Sequence, residues 1–414
     1  MRRAVVIGAG AREHALAFEL SKSADVVVTP GNVGIAAHGI TCVATPASEL
    51  DADLFVIGPE QPLVDGLADV LRAQGKIVVG PGRDGAQLEG SKAFMKEFLA
   101  SAGVPTAAFG TFRDERSAIS FLETMTPPYV IKTDGLAAGK GVLVTDDFAA
   151  ACDDVRDKLR GTSFGAAGTT VVIEEGLVGE ECSLLFLCDG SNALALAPAK
   201  DFKRVGDGDT GANTGGMGAF APLASMSDEL VTQVRDHFVA PTLAELRRRG
   251  IDFRGVLYAG LMLTAKGPQL LEYNVRFGDP ETEVLVPLFN GDFFDQLMAV
   301  GAGTISNTLV ATTRSAVTVV LASHGYPERP RHGDVIHGLG DDGQLSEPLD
   351  GVLVFHAGTA RDDQGAFTTA GGRVLAVSAV AATIPEARRR AYEAAALITF
   401  EGKVMRRDIA SDVD

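Results

Sequence analysis

The stretch Leu271-Glu272-Tyr273-Asn274-Val275-Arg276-Phe277-Gly278-Asp279-Pro280-Glu281-Thr282-Glu283 reads as a strand running into an acidic turn. Leu271, Tyr273 and Val275 alternate with Glu272, Asn274 and Arg276, so the period of two puts the polar three on one face. Glu272 and Asn274 offer hard oxygen ligands. They suit Mg²⁺, which takes one or two protein oxygens and completes its shell with nucleotide phosphates and water. The plainer reading, a solvated polar face, fits poorly in a strand otherwise so apolar.

Working outward, Gly255 to Leu263 is a second strand, joined to the first around Lys266-Gly267-Pro268. Further upstream, Lys200 to Ala221 reads K-D-F-K-R-V-G-D-G-D-T-G-A-N-T-G-G-M-G-A-F-A. Charges of both signs crowd its first ten positions, and six glycines interleave with them or follow. This predicts a mobile, charge-bearing loop over a site. Cys182 to Cys188 and Ala193 to Ala197 form a hairpin turning at Asp189-Gly190. Before them, Thr170 to Ile173 leads into Glu174-Glu175-Gly176-Leu177-Val178-Gly179-Glu180-Glu181. Such a segment suits an adenosine, with backbone groups at the base edge, Leu177 on its face and a carboxylate on the ribose. It also reads as an ordinary acidic loop.

Tyr129 to Val142 is strand, glycine-rich turn, strand. Lys132 closes its apolar strand, where a charge must be paired or bind something. The turn Gly135 to Gly141 offers backbone N–H groups and Lys140 to an anion. A P-loop is excluded, because Gly141 follows the lysine where Ser or Thr is required. A helix from Ala86 to Ala102 carries Ser91-Lys92.

In the first hundred residues, apolar runs Arg3 to Ile7, Asp25 to Thr29, Asp53 to Ile57 and Lys76 to Val79 alternate with helical patterns. That predicts a parallel sheet covered on both faces, with ligands at the carboxyl ends of its strands. The loops there hold Gly8 to His14, Pro30-Gly31-Asn32 and Gly58 to Pro62. Glu13 occupies the sixth position of a G-x-G start, so a dinucleotide fingerprint is weak. A single phosphate at the helix N-terminus beside Arg12 is the better expectation, against a plain tight turn. Beyond residue 306, Ser315 to Leu321, Asp334 to His337, Gly351 to His356 and Arg373 to Val377 read as strands, and Pro385 to Phe400 as a helix. His356-Ala357-Gly358-Thr359 is a candidate rim.

The chain has 414 residues, a net charge of −17 and 46% hydrophobic residues. It is globular, and its charge argues against nucleic acid as a main partner. Four cysteines lack metal spacing and read as reduced thiols in a cytoplasmic protein. No apolar run spans a membrane, and Met1-Arg2-Arg3 opens a strand rather than a leader.

These stations, in this order, resemble the ATP-grasp superfamily and, within it, the phosphoribosylamine–glycine ligase family. The resemblance rests on G-A-G-A-R-E-H-A-L, G-P-E-x-P-L-V, L-E-G-S-K-A-F, I-K-T-D-G-L-A-A-G-K-G-V, K-R-V-G-D-G-D-T-G-x-N-T-G-G-M-G and N-x-R-F-G-D-P-E-T. It implies an N-terminal parallel α/β domain (1–100), an ATP-grasp domain (101–305) with a mobile lid at about 120–187, and a small α+β domain (306–414). It implies ATP, Mg²⁺ or Mn²⁺, glycine and 5-phosphoribosylamine as ligands and a glycyl phosphate intermediate; a monomer is the expectation, with an oligomer left open. Lys92, Lys132, Gly135, Gly139, Lys140 and Gly141 would hold phosphates. Glu174, Glu175 and Leu177 would hold adenine, Glu181 the ribose, and Glu272 and Asn274 the metal. Asp201, Lys203, Arg204, Asp209 and Arg276 would act on the reacting groups. Gly10, Arg12, Asn32, Glu60, Gly278 and Asp279 would bind substrate. Lys200, Phe202, Ala212 and Glu283 depart from the family pattern, and Tyr258-Ala259-Gly260 lacks the third metal carboxylate of many superfamily members.

Overall fold

The structure is a computed structural model describing residues 2–136, 141–161, 169–306 and 313–413. Its N-terminal unit is a five-stranded parallel sheet in the order Thr41–Cys42, Asp25–Pro30, Arg3–Gly8, Leu54–Ile57, Val78–Val79. Every residue of Leu54–Ile57 is buried, as a strand covered on both faces requires. The order reverses between Arg3–Gly8 and Leu54–Ile57. The loops after these strands therefore part and open a crevice at Gly8–Glu13 and Gly58–Glu60. Glu13 fills its floor: a Cβ on Gly58 would stand 2.0 Å from Glu13 Oε1.

The expected helix from Ala86 to Ala102 is two helices, Arg83–Gly90 and Lys92–Ala102. Ser91 breaks them. Its backbone is extended, and its hydroxyl accepts the Phe94 N–H, so it caps the second helix. A small antiparallel sheet follows, ordered Phe109–Phe112, Val171–Glu175, Tyr129–Thr133, Val142–Thr145. Helices Glu115–Leu122 and Phe148–Leu159 back it, and Leu122, Ile131, Val155 and Ile173 form a core of its own. The lid expected at about 120–187 overlaps this unit. The sheet begins earlier, at Phe109, and 180–187 lies on the next sheet.

That next sheet is antiparallel, in the order Ala193–Ala195, Glu180–Asp189, Arg254–Thr264, Gly267–Asn274. The last sheet runs Lys200–Asp201, Gly218–Ala221, Ser315–Ala322, Arg373–Ala381, Val352–His356, with helix Ile384–Leu397 packed on it. The stretch from Lys200 to Ala221 is thus no free loop. Both its ends are strands of the C-terminal sheet, because Ala219, Phe220 and Ala221 are buried against Ser315–Ala322. Between them stands a hairpin, Arg204–Gly206 with Thr210–Asn213. The strand expected at Asp334 to His337 is reduced to isolated bridges from Val335 and His337. Among the described residues no helix is long and apolar enough to cross a membrane, and all four cysteines are free.

Candidate active site

A cleft of ≈ 1000 Å³ lies between the small sheet and the sheet carrying Gly267–Asn274, and extends to the N-terminal crevice. One end is an apolar slot, with Leu136, Val142, Val144 and Leu177 facing Met262 and Leu271. Glu175 borders it, and its carboxylate accepts from the Ala108 N–H at 3.5 Å.

Beyond the slot stands a cluster of lysines. Glu174 is buried at the end of its strand, with Lys132 Nζ 2.8 Å from one carboxylate oxygen and Lys96 Nζ 2.8 Å from the other. Burial opposes the charge on Glu174, yet the two lysines hold its carboxyl below the ordinary range. Burial pulls Lys96 down to about 8 against the attraction of Glu174. Glu174 was expected at adenine. Its side chain is instead locked between lysines, since a buried carboxylate needs charge partners more than a base edge does. Lys92 donates to the Gly135 carbonyl at 3.0 Å and makes no ion pair among the described residues. Three ammonium groups against one carboxylate leave positive charge facing the cleft. Gly141 lines it too; Gly139 and Lys140 lie outside the described residues.

Opposite the lysines, Glu272 and Asn274 alternate on one strand and face the cleft. Gly260 and Tyr258 are their cross-strand partners, so the neighbouring strand adds no carboxylate. No group of three His, Cys, Asp or Glu side chains suited to a metal occurs among the described residues. Two hard oxygens on one face, without hydrogen-bond or ion-pair partners among the described residues, fit a magnesium ion that takes its other ligands from phosphates and water.

Arg276 follows the strand. It pairs with Glu89 at 3.0 Å and Glu60 at 3.4 Å, and its Nε is buried without a hydrogen bond. Burial works against its charge, but these carboxylates hold the guanidinium above its ordinary range. Glu60 therefore sits in the cleft as a partner of Arg276.

The hairpin side is more tightly tied than expected. Lys203 Nζ bridges Asp201 Oδ1 at 3.0 Å and Glu181 Oε2 at 2.9 Å. Arg204 donates across its own hairpin to the Gly211 carbonyl at 2.8 Å. Asp209, in the left-handed region at φ 54°, is committed to Arg406 at 2.6 Å. That arginine is 1% exposed and also grips Asp408. Asp209 lines the cleft but serves first to anchor the hairpin.

Five residues expected at substrate have partners within the protein. The Gly10 N–H donates to Glu13 Oε2 at 2.6 Å, so the helix N-terminus already holds an anion. Arg12 pairs with Glu13 at 2.6 Å and also donates to the Phe277 carbonyl, though it still borders the cleft. Asn32 caps helix Val33–Ala37 by accepting from Gly34 and Ile35 N–H groups, and its amide donates to the Ala9 and His356 carbonyls. Asp279 is paired with Arg373 at 2.9 Å, and Gly278 packs under Glu281.

Sequence reasoning missed Lys96, Glu89, Glu281 and Arg373. Lys96 had a signal, one helical turn after Lys92. Arg373 had none: it reaches the cleft from the C-terminal sheet, binding the Gly215 and Asp279 carbonyls.

Comparison with known proteins bears on this arrangement. Family models for phosphoribosylglycinamide synthetase match the N domain at residues 2–89, the ATP-grasp (A) domain at 90–282 and the C domain at 316–412. The chain belongs to the phosphoribosylglycinamide synthetase family. It is 46% identical to the phosphoribosylamine–glycine ligase of Brucella melitensis, over 98% of this chain and 97% of that one. A solved phosphoribosylamine–glycine ligase from Thermotoga maritima superposes with a TM-score of 0.87 at 36% identity, covering 99% of this chain and 100% of that one. Biotin carboxylase from Campylobacter jejuni shares the fold at 12% identity, with a TM-score of 0.74 over 99% of this chain and 96% of that one.

Within this synthetase family the departures find places. Lys200 lines the cleft and pairs with Glu180 at 3.1 Å and Asp412 at 3.5 Å. Phe202 is buried against Phe220 and under the Arg406 guanidinium. Glu283 is fully buried, and both its oxygens lack partners. Burial, then Asp279, pushes its acid well above the usual range. Nothing in the structure explains Ala212.

Proposed function

We propose that this chain joins glycine to 5-phosphoribosylamine at the expense of ATP, giving glycinamide ribonucleotide, ADP and phosphate through glycyl phosphate. The observation that carries this is the single cleft in which Lys92 and Lys132 face Glu272 and Asn274, with Lys96 buried behind them on Glu174 and Arg276 just after the strand that holds Glu272 and Asn274. The backbone from Glu175 to Leu177 reads adenine in the apolar slot, and Glu181 reaches the ribose. Lys92 and Lys132 neutralise phosphates, and Gly135 and Gly141 border them. Glu272 and Asn274 hold a divalent cation, which supplies charge neutralisation at the phosphates. Arg276, kept charged by Glu60 and Glu89, stabilises negative charge on the transferring phosphoryl group. Asp201, Lys203 and Arg204 present the hairpin to glycine. Arg12, Glu60 and Asp279 form the crevice end, where the amine substrate binds. Four free thiols fit a cytoplasmic enzyme.

The test is phosphate release from Mg·ATP, with phosphoribosylamine generated in place, with and without glycine. Release that needs both substrates and is lost in Glu272→Ala supports the assignment. Turnover indifferent to glycine points to a ligase acting on another carboxylate.

A further inference from the structure

Two carboxylates lining the cleft, Asp201 on the hairpin side and Glu281 beyond Arg276, are joined by two hydroxyls. Tyr258 Oη donates to Glu281 Oε1 at 3.0 Å. Ser183 Oγ lies 2.7 Å from Tyr258 Oη, 3.4 Å from Glu281 Oε1 and 3.2 Å from Asp201 Oδ1. Tyr258 and Ser183 are buried, and both carboxylates line the cleft. The two acids differ in their cations. Asp201 is ion-paired with Lys203, whereas Glu281 has no cation within ion-pair distance among the described residues. Both hydroxyls meet Oε1, which turns Oε2 onto Gly278. A Cβ there would stand 2.3 Å from that oxygen, so glycine makes room for the carboxylate.

We infer that Glu281 accepts the proton released when the amine substrate attacks the acyl phosphate, with Tyr258 and Ser183 as positioning residues. This rests on the ligase reading above. The amine nitrogen bonds to the acyl carbon, the carbon–oxygen bond to phosphate breaks, and phosphate leaves with the electron pair. The nitrogen's proton passes to the Glu281 carboxylate and returns to solvent after product leaves. A base for this step works best with a pKa near the operating pH. Burial, then the charge of Asp201, raises the Glu281 acid to about 7, against its own backbone N–H, Lys203 and Arg276. Arg373 also feels its charge. Tyr258 keeps its proton, since burial and the two carboxylates push it well above its usual range.

The experiment compares two reactions of the full chain. One is ligation. The other is capture of glycyl phosphate by hydroxylamine as the hydroxamate, which reports the first half-reaction alone. Glu281→Gln should cut ligation by about 10²–10⁴-fold, far more than it cuts hydroxamate formation. It should also remove the acid limb near pH 7 from the kcat/KM profile of the amine. Equal loss of both reactions, or a retained acid limb, overturns the inference. Tyr258→Phe is the second variant. It removes a hydrogen bond to the charged carboxylate, so the limb should move to higher pH; an unmoved limb overturns the inference. Wild-type protein that forms no hydroxamate with glycine would instead count against the ligase reading itself.

Discussion

Glu174 Oε2 lies 2.8 Å from Lys96 Nζ, and both side chains are shut off from water. Lys96 lies behind the cleft lining that Glu174 and Lys132 form, so the pair acts as a charge reserve for whatever anion enters. Breaking a buried pair from one side costs about 3–5 kcal/mol. Glu174→Gln should therefore lower the melting temperature sharply, because two buried lysines then face each other. Nucleotide phosphates would restore the missing charge, so saturating ATP should raise the variant's melting temperature more than the wild type's. Equal increments would show that the lysines do not face the phosphates.

The same pair makes nucleotide binding proton-linked. Burial holds Lys96 at about 8 in the free protein. An arriving triphosphate favours the charged ammonium, so binding at pH 8.5 should take up protons. Calorimetry in buffers of different ionisation enthalpy measures this uptake directly. Lys96→Met should abolish the dependence on buffer.

Glu283 gives a stability test with a definite sign. Its folded-state pKa lies well above the ordinary 4.5. A raised acid contributes stability that is fully present below the unfolded value and is lost as pH climbs through the folded one. Glu283→Gln keeps the size and the neutral character of the protonated acid. Its melting temperature should match the wild type near pH 4.5 and exceed it increasingly toward pH 8 and above. A constant offset across that range would mean that Glu283 does not titrate in folding.

Legibility in the sequence followed the range of the interactions. The parallel sheet was readable because Arg3–Gly8, Asp25–Pro30 and Leu54–Ile57 are continuous apolar runs, a local signal. Glu272 and Asn274 were readable from period-two alternation. Glu174 was misread because its partner Lys96 sits on a helix nearly eighty residues earlier. The strands at Lys200–Asp201 and Gly218–Ala221 were hidden by glycines and charges; they pair with each other, and the strand that draws Gly218–Ala221 into the sheet, Ser315–Ala322, lies about a hundred residues on. Asn32 looked like a ligand-binding residue because nothing near it reveals the carbonyl of His356.

Asn32 can be tested as a strut. Losing its cap costs about 0.5–2 kcal/mol, and its two amide bonds to Ala9 and His356 go with it. Asn32→Ala should lower thermal stability and leave ATP affinity unchanged, since the residue lies outside the cleft lining. If stability holds while the KM for phosphoribosylamine rises, Asn32 contacts substrate after all.

Arg406 separates anchoring from chemistry. It is buried over the Phe202 ring, holds Asp209 and Asp408, and donates to the Arg204 carbonyl. Its partners Asp209 and Asp408 are partly exposed, so the loss from Arg406→Met is set by hydrogen bonds to charged groups, about 1.5–3 kcal/mol each at most and less where water screens them. The larger consequence is local. Without Arg406 the hairpin between Arg204 and Asn213 loses its side-chain tie through Asp209 and keeps the backbone bonds of Gly208 to Asp408 and of Arg407 to Asp207, while the lysine pairs on the far wall are untouched. The KM for glycine should rise several-fold and ATP affinity should stay within about twofold, measured by ligation kinetics and nucleotide titration on the same preparation. A parallel loss of both would place the hairpin over the nucleotide instead of over glycine.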